Sequence, residues 1–150
     1  MDSKRLALAF GWGVVATVAM SIIMILGRVT GLAPMPKPIP LAIVGKIFGE
    51  GTPRPVLMFL AVASHLGYGG FWGAVLAALT RPVTVWKGIA LGIVLWLIMQ
   101  IVVLPFLGWG FFGVGITPKI AVATLVLHLV YGVTLGWLVD RRSHISTPNI

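Results

Sequence analysis

Four stretches of this 150-residue chain carry no charged side chain: Leu6 to Gly27, Pro55 to Thr80, Gly88 to Pro118 and Ile120 to Val139. Each is near or above the ~20 residues that an α-helix needs to cross the hydrocarbon core of a bilayer. Inside lipid every backbone N–H and C=O must be paired within the protein, so an uncharged run of this length folds as helix. Composition agrees, with 59% hydrophobic and only 9% charged residues and a mean hydropathy of +1.06. A soluble chain is about one quarter charged. The expected fold is all-α: a single membrane domain over 1–150, a bundle of four transmembrane helices at about 6–27, 55–80, 86–107 and 118–139. The first run is longer than the ~7–15 residues of a signal-peptide core, so it is read as a helix of the bundle.

Net charge is +8, and the 11 basic residues fall mostly outside the apolar runs. That placement suits lipid headgroups rather than nucleic acid. Cysteine is missing from the sequence, which excludes disulfides, thiolate metal sites and cysteine nucleophiles. No phosphate loop, nucleophile elbow or metallohydrolase motif occurs, and the expectation is a non-enzyme.

The connection after the first helix is long and has prolines at 34, 36, 38 and 40, a spacing that favours an extended strand. Leu41 to Phe48 follows, with Lys46 and Glu50 near its end, and reads as a short interfacial helix. The run from Gly108 to Gly115 is rich in glycine and aromatics and reads as an interfacial loop. Basic residues divide six to five between the two sides: Lys4, Arg5, Arg81, Lys87, Arg141 and Arg142 against Arg28, Lys37, Lys46, Arg54 and Lys119. Because the longer connection dilutes its own charge, both termini are expected in the cytoplasm of a prokaryotic cell, with the helices in its inner membrane.

The pattern His-Leu-x-Tyr-Gly-x-x-x-Gly occurs twice. His65, Leu66, Tyr68, Gly69 and Gly73 form one copy; His128, Leu129, Tyr131, Gly132 and Gly136 form the other. The only two tyrosines of the chain, and two of its three histidines, sit in this pattern. Thr52 and Pro53 precede the first copy as Thr117 and Pro118 precede the second, and Gly13 and Met20 are spaced like Gly92 and Met99. Four matches in the same order point to two duplicated helical hairpins, related by an axis along the membrane normal. On a helix the histidine and both glycines share a face, as do Gly88 and Gly92. Glycines in this spacing let a neighbouring backbone approach closely.

An ionisable side chain at mid-membrane is a functional-site hypothesis. The bland alternative is structural, each histidine bonding to Ser21, Gln100 or a backbone carbonyl. A sharper one is a b-type haem with His65 and His128 as axial ligands and Tyr68, Tyr131, Ser21 and Gln100 around them. Packing of the glycine faces against each other would leave no room for that macrocycle. A pigment on one histidine is a weaker variant. A proton or small-solute path along His65, Tyr68, His128 and Tyr131 is a third reading, weakened by the lack of any Asp or Glu in the spans. Copper held by histidine with Met20 or Met99 uses suitable soft ligands, without a spacing motif behind it.

The stretches Gly13 to Met20, Gly88 to Met99 and Leu125 to Gly132 resemble those of a family of small four-helix prokaryotic integral membrane proteins of unknown function. The resemblance covers most of the chain and implies the fold and the histidine–tyrosine–glycine signature, but no activity. The expected role is that of a non-catalytic accessory or structural subunit of a larger membrane complex. Its partners would be the lipid bilayer and other membrane subunits or copies of itself. A haem-binding electron-transfer subunit is the alternative.

Overall fold

The structure, a computed structural model, describes residues 3–49 and 51–145, with side chains through Arg141. Glu50 and the side chains of Arg142 and His144 lie outside the described residues. Among the described residues the chain is all-helical, and four helices are long and apolar enough to cross a membrane.

Helix α1 (Ser3–Val29) leads through the proline-rich connection into the short α2 (Ile39–Phe48), and α3 (Arg54–Leu79) follows. Pro53 stands immediately before α3 and Pro118 immediately before α5 (Lys119–Ile145), where a missing N–H costs no helical bond. Between them runs α4 (Val85–Phe106), started by Thr84, whose hydroxyl accepts from the Lys87 N–H at 3.4 Å. Within α4 the segment Met99–Val103 is a π-helical turn, and the Leu104 N–H bonds back to the Met99 carbonyl. The widened turn lies just ahead of Pro105, which has no N–H to give and whose ring would crowd the carbonyl of a regular preceding turn. After α4 the glycine-rich run makes a tight reversal around a 3₁₀ turn, Phe111–Gly113, and buries Trp109.

In the bundle, α1 packs along α3 and α5, and α4 packs along α5. The glycines decide these contacts. A methyl group placed on Gly13 would strike the Gly69 carbonyl oxygen, and one on Gly88 would strike that of Gly132. Gly73 and Gly136 are also too tight for a methyl, against the Ala9 carbonyl and the Val85 Cα. The glycine faces therefore close α1 onto α3 and α4 onto α5, and do not press α3 onto α5. Trp96 is held inside by its indole N–H, which donates to the Ala121 carbonyl at 3.0 Å, and by an edge contact with Phe112.

Short helix α2 packs against α3, burying Ile39, Ala42 and Val44 while Ile47 and Phe48 stay exposed. An Arg28 N–H donates to the Met35 carbonyl at 3.4 Å and ties the connection to the end of α1. At the opposite end of the bundle, Arg5 donates to the Thr80 carbonyl at 2.8 Å.

Candidate functional site

A cavity of about 280 Å³ lies between the helices and is walled by every one of them. Thr17, Met20 and Met24 reach it from α1, and Ser64, His65, Tyr68 and Gly69 from α3. Leu95, Met99 and Val103 come from α4, and Thr124, Leu127, His128 and Tyr131 from α5. Met35 and, from α2, Ile39, Pro40 and Ile43 line it on the side where the proline-rich connection covers one end of the bundle, and the cavity stays partly open. Both histidines and both tyrosines of the repeated pattern thus meet at one place, His65 about three turns into α3 and His128 about two and a half turns into α5.

The two imidazoles are held differently. His128 Nδ1 lies 2.8 Å from the Thr124 carbonyl oxygen. A carbonyl only accepts, so Nδ1 carries the proton, and in the neutral ring Nε2 keeps its lone pair. His65 has no such tie, and its Nε2 is buried without a hydrogen-bond partner. An orphaned buried nitrogen is costly, which makes a ring left in this condition a sign of a site rather than of a strut.

The polar groups behind His128 form a chain. The Gln100 amide donates to the Thr124 hydroxyl at 2.8 Å, and that hydroxyl donates to the Ile120 carbonyl at 2.7 Å. Gln100 and Thr124 are fully buried. Gln100 lies on the π turn, and its own Oε1 has no partner. Gln100 therefore meets the side chain of the residue whose carbonyl holds His128, and not the ring itself. Ser21, the other expected partner, does not line the cavity.

The tyrosines are also unequal. Tyr131 is only 3% exposed, and its hydroxyl donates to the Gly69 carbonyl at 2.6 Å, crossing from α5 to α3. Tyr68 is 46% exposed and stands edge-on to Trp72, with ring centroids 6.1 Å apart. The Tyr131 bond joins the two histidine-bearing helices one turn from each imidazole. A macrocycle shared by His65 and His128 would have to be accommodated beside that tie. The volume of about 280 Å³ is also modest, at the lower edge of the ~300–1,000 Å³ typical of pockets for drug-sized ligands.

Sequence reading placed the histidines, the tyrosines, Gln100 and the glycines of this region but left out Met24, Met35 and the α2 side chains. Met24 follows Met20 by one helical turn, a spacing that marks one face and was open to view. Met35 and Ile39 lie in the connection, where no periodicity signals which side faces inward.

One family model, described as a family of unknown function (DUF6789), matches residues 3–150. No curated protein and no solved structure matches the chain.

Proposed function

The chain belongs to that family of unknown function, and we propose that it is a non-catalytic, multi-pass protein of the prokaryotic inner membrane that holds a small guest among its helices. In this reading it serves as an accessory subunit, with both termini in the cytoplasm and its lipid-facing sides available to partner subunits or to a second copy. The observation that carries it is the convergence of His65, His128, Tyr68 and Tyr131, from two separate helices, on one largely apolar cavity. The repeated His-Leu-x-Tyr-Gly-x-x-x-Gly pattern, read as a duplicated two-helix unit, supports it. Each hairpin would bring one histidine to the centre, and each closes on a glycine pair, Gly13–Gly69 and Gly88–Gly132, with the two contacts offset by one helical turn in the repeat.

Haem is the less favoured guest, because the Tyr131–Gly69 bond and the cavity volume both work against a macrocycle. A proton path is less favoured because methionine and aliphatic side chains, which cannot relay protons, make up much of the wall.

Native mass spectrometry of the protein released gently from its own membranes tests the proposal. The wild type is expected to carry added mass that the His65→Leu/His128→Leu double variant lacks. Bare protein in both samples overturns it. Soret absorbance in the wild type would replace the small guest by haem.

A further inference from the structure

The chemistry of the cavity wall names a class of guest. Six of its side chains can ligate a metal: His65, His128, Met20, Met24, Met35 and Met99. All other lining groups are hydroxyls, aliphatic chains or backbone, and the lining includes no carboxylate. Among the described residues no group of three or more His, Asp or Glu comes together anywhere. A zinc site draws its ligands from Cys, His, Asp and Glu, and magnesium or calcium needs several oxygens, so neither ion is served here. Imidazole with thioether is instead a donor set for Cu(I). Resting on the reading of the cavity as a binding site, we propose that the guest is a soft monovalent d¹⁰ cation, Cu(I), held by His65 and His128 with thioethers from Met20 and Met99 and from the capping methionines.

Three features support this beyond the list of donors. A lone pair is in place on His128, whose Nδ1 proton is held by the Thr124 carbonyl, the arrangement that fixes tautomer and ring in histidine ligands, and His65 Nε2 is buried with no protein partner competing for it. The thioethers come from α1, the connection and α4 and gather in one packed cluster beside the cavity, while the histidines come from α3 and α5. Their unbranched chains let the sulfurs swing inward to meet an ion. Charge also selects. All the donors are neutral, and the cost of burying an ion grows with the square of its charge, so a monovalent ion is accepted where a divalent one is not. Lys37, Lys46 and Arg54 around the neighbouring hollow oppose divalent ions more strongly as well.

The test is an anaerobic titration of the full chain in detergent with Cu(I), competed against the chromogenic chelator bicinchoninate. The wild type should take up one equivalent. The His65→Leu/His128→Leu variant and the Met20→Leu/Met99→Leu variant should each bind at least about tenfold more weakly, a loss that even outer partners of metal ligands can cause. Leucine conserves the volume of methionine, so the second variant keeps its packing while losing only sulfur. X-ray absorption at the copper edge should show nitrogen and sulfur neighbours, and Zn(II) should not displace the ion. No uptake by the wild type, equal affinity in the variants, or a copper shell without sulfur overturns the assignment. If Cu(I) is not bound but native mass spectrometry still finds a histidine-dependent guest, the metal falls and the cavity reading stands. If neither is found, both fall.

Discussion

His65 and His128 occupy matching places in the two copies of one pattern, yet only His128 has its Nδ1 satisfied by the carbonyl one turn back. The same inequality divides the tyrosines, and it sets what single changes should do. Tyr131→Phe removes the bond to Gly69 that ties α5 to α3. A hydrogen bond between membrane helices contributes about 1 kcal/mol. At this chain length that corresponds to a fall of about 2–4 °C in the midpoint of thermal unfolding. Tyr68→Phe, on a half-exposed ring, should move the midpoint by less; a larger fall for Tyr68→Phe than for Tyr131→Phe would reverse the roles given to them here. Residue types and spacing in the sequence were enough to single out these four side chains. They could not reveal the inequality, because it arises from which neighbouring carbonyl each ring or hydroxyl reaches after the helices have packed.

Among the elements, the long helices were the most legible, since an uncharged run of membrane length leaves the backbone no other way to pair its polar groups. Glycine spacing announced close helix contacts, but not between which helices. The structure pairs α1 with α3 and α4 with α5, leaving α3 and α5 apart at the level of the histidines except for the Tyr131 bond. The π turn Met99–Val103 was not legible, because the pattern of apolar residues in α4 is too uniform to mark a change of helical period. Nor was the role of α2 as a cap, which depends on how the connection folds back over the bundle. Alanine substitutions test the packing. Gly69→Ala and Gly132→Ala would drive a methyl into Thr17 and into the Gly88 carbonyl, and forced overpacking costs about 1–3 kcal/mol. Gly11 and Gly67 face open space, so Gly11→Ala and Gly67→Ala should leave unfolding in detergent unchanged or raise its midpoint. Equal losses for all four variants would mean that the glycines do not set the helix contacts.

At the scale of the whole molecule, four membrane-length helices carry the chain back and forth, so the ends of the bundle alternate. Ser3 and the Thr80–Thr84 link lie at one end; Thr30, Thr52 and the capped mouth of the cavity lie at the other. The sequence contains no cysteine, so single cysteines introduced at Ser3, Thr84, Thr30 and Thr52 report without background. An impermeant thiol reagent added outside intact cells should label Thr30→Cys and Thr52→Cys but not Ser3→Cys or Thr84→Cys. The opposite pattern would invert the orientation and place the cavity mouth toward the cytoplasm. Labelling of Ser3→Cys together with Thr52→Cys would break the four-pass arrangement itself. Nearly balanced basic residues on the two sides left this orientation weakly encoded in the sequence.

Whether His65 is kept for a guest or for the fold is measured most directly by thermal unfolding of guest-free His65→Leu beside guest-free wild type. A buried polar atom without a partner costs about 1–3 kcal/mol, and leucine in its place removes the penalty while filling similar space. If the histidine serves a bound guest, the variant should unfold at the same temperature as the wild type or a few degrees above it, and lose the guest. A fall of several degrees, with nothing lost from the bound-mass spectrum, would show that the imidazole is a structural tie and would contradict the account.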